Sequence, residues 1–267
     1  MTSDGIHALG LKLGRRTDAD GLDPVPRALS RAGLNLPAFH GEDLWNCWET
    51  GFLLESGLPQ VWHMQCHYGA DSPNIIESKS FKLFLNARNN EHFADVDDFA
   101  ERIRGPLEAC AGAAVSLVFH APERSPTPRR ARGDCVDTLT FAGVDSAYRP
   151  DVLIRADAEP GDWALHSHLL RSRCPVTGQP DWGTVEVQGR GARPTPEAFL
   201  AYVVGLREHQ DFHEACCERI FSDIHERLSP DALTVRCAYT RRGGLDINPV
   251  RSTQSIAASD PAPLWRQ

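Results

Sequence analysis

The residues best equipped for covalent chemistry are Cys174 and Asp181, a thiol and a carboxyl seven positions apart in the stretch 171–187, RSRCPVTGQPDWGTVEV. Pro175, Gly178 and Pro180 lie between them, so the pair flanks a tight loop instead of sharing a helix face. A loop that folds back can aim both side chains at one substrate, the thiol as nucleophile and the carboxyl as proton donor. The same two residues also suit a small buried hydrophobe and a turn acid, so the pair alone does not choose between these roles.

Three further clusters carry charge. Glu77-Ser78-Lys79-Ser80-Phe81-Lys82 falls in a run, 75–85, that reads as a strand. There Lys79 and Lys82 either protect an exposed edge or meet the phosphates of a dinucleotide, with the serine hydroxyls as donors. Neither GxGxxG nor GxxxxGK[ST] occurs, so a nicotinamide cofactor would bind outside a Rossmann fold. His213-Glu214 opens a helix, where the dipole favours an ionised carboxylate. Such a carboxylate can accept two hydrogen bonds from a guanine-like edge, and His213 can move a proton near neutral pH. Arg241-Arg242-Gly243-Gly244 joins fixed charge to a flexible backbone and suits either a phosphate or an ordinary turn. His63, Cys66 and His67 have the spacing of a helical zinc cluster, but on a strand Cys66 faces away from both histidines. His166 and His168 share a strand face and read as packing residues, since two ligands do not close a site.

The elements that must position these residues follow from periodicity. Residues 1–40 are broken by Gly and Pro and read as an irregular arm. A first module, 41–120, carries an aromatic-rich segment, strands at 60–68 and 75–85, a helix at 96–110 and a strand at 113–120. Residues 121–134, APERSPTPRRARGD, read as a solvated linker holding the basic cluster Arg129, Arg130 and Arg132. In 135–267, strands at 152–155, 163–170 and 183–188 precede a helix capped by Thr195 with Pro196 in its first turn. A second helix carries the core stripe Phe212, Cys216, Ile220, Ile224 and Leu228. A strand at 233–241 and the turn GGLDINP follow. Strands, helices and strands thus occur twice, which predicts a duplicated α+β module on antiparallel sheet.

With 267 residues and 41% hydrophobic content the chain can bury a sizeable core. The longest apolar runs are only a few residues, and no signal-like segment opens the chain, so the expected address is cytoplasmic and not a membrane. Eight cysteines without a CxxC pair read as free thiols. A net charge of −8 argues against direct nucleic-acid binding and favours a small-molecule partner.

Taken together, CPVTGQPDWG at 174–183, ESKSFKLF at 77–84, HE at 213–214 and RRGGLDINP at 241–249 closely resemble the 7-cyano-7-deazaguanine reductases. These are the NADPH-dependent nitrile reductases of queuosine biosynthesis, here in their long, two-module form. The resemblance runs from about Asp43 to the C-terminus. It implies an α+β fold of tandem tunnelling-fold (T-fold) modules, with antiparallel sheets, helices packed on one face and a deazapurine substrate at a module interface. It makes Cys174 the nucleophile that forms a covalent thioimide and Asp181 the proton donor, with His213 assisting. Glu77, Ser78, Lys79, His213 and Glu214 would border the deazaguanine. Lys79, Ser80, Lys82, Arg242 and Gly243 would contact NADPH. A homodimer and no metal are also implied. Nitrile to primary amine requires two hydrides, hence two NADPH per turnover. Two departures from the family pattern are Phe84, where tyrosine is usual, and Gly51-Phe52-Leu53, where SWL is expected. The competing readings are a cysteine- or metal-dependent hydrolase of a purine-like substrate and a non-enzymatic module binding purine or tRNA.

Overall fold

The computed structural model describes residues 21–140, 147–256 and 262–267. The first twenty residues of the expected arm lie outside the described residues. Its remainder forms a short strand β1 (Pro24–Pro26) and a single helical turn α1 (Arg27–Arg31). Then come β2 (His40–Leu54), β3 (Pro59–Gly69), β4 (Asn74–Ile76), α2 (Ser78–Arg88), β5 (His92–Phe93), α3 (Val96–Ala111) and β6 (Val115–His120). The C-terminal part comprises β7 (Asp134–Cys135), β8 (Gly161–Arg173), β9 (Pro180–Gly191), α4 (Pro196–Gly205), α5 (His213–Leu228), β10 (Ala232–Tyr239) and β11 (Leu245–Ser252). The fold is α+β, built on sheet that is mostly antiparallel.

One continuous sheet, in the order β6-β3-β2-β11-β10-β9-β8-β7, runs through both halves. The seam is the antiparallel pairing of β11 with β2, which sets Ile247 opposite Trp45. The alternation of a pleat then decides which side chains share a face. Trp45, Ile247, Arg251 and Val235 point to the helix-covered side, and Asn46, Asp246, Arg236 and Glu186 to the other. On the helix side lie two large cores. Trp45, Met64, Phe81, Phe84, Phe99 and Ile247 form one beneath α2 and α3. Val185, Val187, Phe199, Ile220, Phe221 and Val235 form the other beneath α4 and α5.

Four expectations change. Residues 78–88 are helical, not a strand. Glu77 caps α2 by accepting from Lys79 N–H (3.0 Å) and Ser80 N–H (2.7 Å), and Phe81, Phe84 and Leu85 recur at helical spacing on the buried side. The aromatic-rich stretch is the fifteen-residue strand β2, and the turn GGLDINP leads straight into strand β11. The strand expected at 152–155 does not form, since Val152 ends a 3₁₀ turn (Pro150–Val152) and Arg155 makes only an isolated bridge to Pro194. The basic cluster is not simply solvated, because Arg129 makes a two-pronged ion pair with buried Glu186 at 2.8 and 2.7 Å.

Candidate active site

β8 and β9 form a hairpin whose turn begins at Cys174. Cys174 N–H donates to Gln179 C=O and Gly178 N–H donates to Cys174 C=O, both at 2.8 Å, so the thiol stands on a backbone closed from both sides. Gly178 has φ 69°, the left-handed value that such a turn requires. Of the eight cysteines only Cys174 and Cys135 reach the surface. Burial pushes the thiols of Cys66 and Cys216 up to about 12, where almost no nucleophilic thiolate forms at neutral pH.

Asp181 is not in the turn but on β9, paired with Ser172 across the hairpin, and its side chain is buried. Its carboxylate accepts a hydrogen bond from Arg242, which also donates to Gln179. His213 Nε2 lies 3.6 Å away. Burial opposes ionisation, but the His213 ring and the Arg242 guanidinium outweigh it and hold the Asp181 carboxyl below the usual range. His213 is set by the first turn of α5 and stands edge-on to the Tyr239 ring, with centroids 4.2 Å apart.

Its neighbour Glu214 points into the interior, 2% exposed, and Oε1 has no hydrogen-bond partner. The expectation that the helix dipole keeps this carboxylate ionised is overturned. Burial, reinforced by the charge of Asp43, pushes it up to about 8. A half charge at a helix end is a weaker influence than loss of water around a whole carboxylate.

From the N-terminal half, α2 sends Ser78 and Lys82 toward the hairpin. They line one narrow cleft with Trp45, His213, Tyr239 and Arg242. Lys82 lies along Gly243, where an added Cβ would stand 3.2 Å from Lys82 Cδ at φ +61. Burial and the charge of Arg242 push the Lys82 ammonium down, against the attraction of Glu77, Asp181 and Cys174. The adjacent arginine takes no part in this, since Arg241 lies over the Trp48 ring at 4.0 Å.

The fold therefore gathers Cys174, Asp181, His213, Ser78, Lys82, Arg242 and Gly243 from both halves of the chain. It does not bring Ser80 there. That hydroxyl is buried, donating to Glu77 C=O at 2.7 Å and accepting from Asp23 N–H at 3.0 Å. Glu77 is spent on capping α2, and Lys79 is exposed. Trp45 and Tyr239 escaped the sequence reading. Both sit on strands whose alternation puts them on the helix side, a signal lost for Trp45 while β2 is not recognised as a strand.

Comparison with known proteins adds two family matches. Residues 15–119 match a model described as nitrile reductase, 7-cyano-7-deazaguanine-reductase N-terminal domain, and residues 180–258 match one described as QueF-like protein. Together they span well over half of the chain, with Asp181, His213, Glu214 and Arg242 inside the second match and Cys174 just before it. Among solved structures, an archaeosine synthase QueF-Like in the apo form is 18% identical over 38% of this chain and 100% of its own, with a TM-score of 0.32, too slight a likeness to bear on the fold.

Proposed function

The chain belongs to the 7-cyano-7-deazaguanine reductase family in its two-module form, and from that premise we propose that it reduces 7-cyano-7-deazaguanine to 7-aminomethyl-7-deazaguanine with NADPH, through a covalent thioimide on Cys174. The observation that carries this reading is the pairing of a surface thiol and an ionised buried carboxylate with Glu214, a buried acid whose oxygen lacks a partner. An orphaned buried oxygen costs stability, and a ligand edge rich in N–H donors would relieve it. The deazaguanine edge offers N1–H and the 2-amino group to one carboxylate, so binding displaces the proton that burial keeps on Glu214.

Asp181, held as carboxylate, takes the thiol proton from Cys174, and the thiolate attacks the nitrile carbon. One π pair of the C≡N bond moves to nitrogen, which accepts that proton back from Asp181 to leave a neutral thioimide. His213 keeps Asp181 oriented and supplies a second site for the proton. Two hydrides, one from each of two NADPH bound in turn, would carry the carbon to the amine, with the Cys174 thiolate leaving between them to break the C–S bond. The donor set fits the cofactor's phosphates. Lys82 and Arg242 are like charges crowded together beside Gly243, an arrangement that an anion relieves. The cleft has room for little more than one water, about 10 Å³. Substrate entry therefore requires this cleft to widen, and its closing afterwards would shield the thioimide from hydrolysis. The reading includes a homodimer in the cytoplasm acting on the free deazapurine and not on tRNA. No described helix is long and apolar enough to cross a membrane.

Purified protein given the nitrile and NADPH should consume two cofactors per amine formed. Intact-mass spectrometry should show a substrate adduct in the unmutated protein that Cys174→Ala lacks. Absence of nitrile-dependent NADPH oxidation sinks the activity, and an adduct that survives Cys174→Ala sinks the nucleophile.

A further inference from the structure

On the opposite face of the same sheet a second cysteine has company. β7 is only two residues long and pairs parallel with β8, setting Cys135 directly beside His166. His168 follows two residues on, the same-face period of a strand. Their sulfur and nitrogen ligand atoms all lie within 4.8 Å of one another. The two rings are also set up as ligands. His166 Nδ1 is 3.1 Å from the carbonyl of Arg132, which can only accept, so the neutral ring carries its proton there and leaves the Nε2 lone pair open. His168 Nδ1 is 2.9 Å from Thr184 Oγ1, a hydroxyl able to accept from Nδ1–H and so leave Nε2 open in the same way. Ligating histidines are held in this way, by a hydrogen bond at the other nitrogen. The cluster opens into a cleft lined by Pro128, Arg129, Ala131 and Trp265.

We propose that Cys135, His166 and His168 form a binding site for a divalent, borderline-soft cation of the Zn²⁺ class, with an exchangeable fourth ligand facing the cleft. One sulfur and two imidazoles suit tetrahedral Zn²⁺, whose ligand atoms stand about 3.5 Å apart, so modest side-chain rotation closes the site. The fixed pair of histidines on a long strand supplies the rigid part, and Cys135 on the edge supplies the last tooth. The ion would staple β7, and the 121–134 segment before it, to β8. The catalytic turn lies six residues further along β8 from His168, on the order of 20 Å away, so this site is separate from nitrile reduction and its failure would leave that reading untouched.

The test uses tag-free, metal-stripped, full-length protein titrated with Co²⁺ and then Zn²⁺. Expected is one Co²⁺ per chain with a near-ultraviolet thiolate charge-transfer band and the intense visible bands of a tetrahedral site, displaced by one equivalent of Zn²⁺. The bands should vanish in Cys135→Ala, fall at least tenfold in affinity in His168→Ala, and persist in Cys174→Ala. A second measurement needs no variant. Zn²⁺ should slow alkylation of Cys135 by iodoacetamide at least tenfold, read by peptide mass spectrometry, and leave Cys174 reactive. A site without thiolate bands, bands that survive Cys135→Ala, or protection confined to Cys174 overturns the proposal.

Discussion

Glu214 and Glu218 stand one helical turn apart on α5, both buried, yet their surroundings treat them in opposite ways. Glu218 receives Arg31 at 2.7 and 2.8 Å and Arg251 at 3.0 Å, and these cations hold its carboxyl below the usual range despite burial. Arg251 also reaches Asp43 at 2.8 Å, and Arg27 joins the same carboxylate from α1. This network fastens arm, helix and both sides of the β11–β2 seam. Glu214 has no such partner and is pushed up to about 8. A buried charge that has its ion pairs within the chain holds structure, whereas a buried acid with an unpartnered oxygen is open to a ligand, the role proposed for Glu214.

The largest expected effect tests the scaffold side. Glu218→Ala strands Arg251 and Arg31, and should cost about 3–5 kcal/mol in urea unfolding at pH 7. A loss below 1 kcal/mol would remove the contrast. Next, Glu214→Gln should leave the fold at least as stable at pH 7 and weaken deazaguanine binding about 100-fold, the worth of two charge-assisted hydrogen bonds less the cost of ionising the carboxyl as the ligand binds. Calorimetry in a Cys174→Ala background reads this without turnover, and unchanged affinity would take Glu214 out of the pocket.

A subtler test is pH. The folded Glu214 carboxyl, at about 8, holds a proton that the unfolded chain releases near the ordinary value of 4.5. Unfolding stability should therefore decline as pH rises from about 4.5 to about 8, and Glu214→Gln should flatten that slope. Glu218, with its carboxyl lowered, contributes in the reverse sense and loses its contribution only as pH falls through its folded value. A stability curve with the same slope in both proteins would contradict the assignment. The smallest effect is expected from Arg242→Ala. Losing that guanidinium lets burial raise the Asp181 carboxyl, moving the acid limb of the activity profile to higher pH while KM for NADPH rises. A profile that stays in place would mean that Arg242 does not tune Asp181.

Much of this was readable beforehand where one residue's role follows from its near neighbours. Thr195 caps α4 through Ala198 N–H, and Pro196 occupies its first turn, as the local chemistry requires. The stripe from Phe212 to Leu228 is buried along α5. The 174–180 stretch is a hairpin turn because proline and glycine leave it little else. Failures came where local pattern was ambiguous. Serines and lysines between the aromatics of α2 mimic an edge strand, and only the capping carboxylate of Glu77 and the core around Phe81 and Phe84 select the helix. β11 begins in a glycine turn and contains Pro249, a poor strand residue by composition, and its pairing with β2 across some two hundred positions makes it one.

The sequence by itself determined which residues are equipped for chemistry. Thiol, carboxyl, imidazole and guanidinium are covalent facts, and turn propensity places Cys174 and Asp181 near each other whatever surrounds them. Only the tertiary structure decided their states. It put Arg242 on Asp181, spent Ser80 on backbone, made Glu214 neutral and Glu218 charged, and set Cys135 beside two histidines on the far face of the sheet. The reason is electrostatic. Ionisation depends on the water excluded and on charges within a few ångströms, and those neighbours come from segments that only the closed sheet and its packed helices bring together.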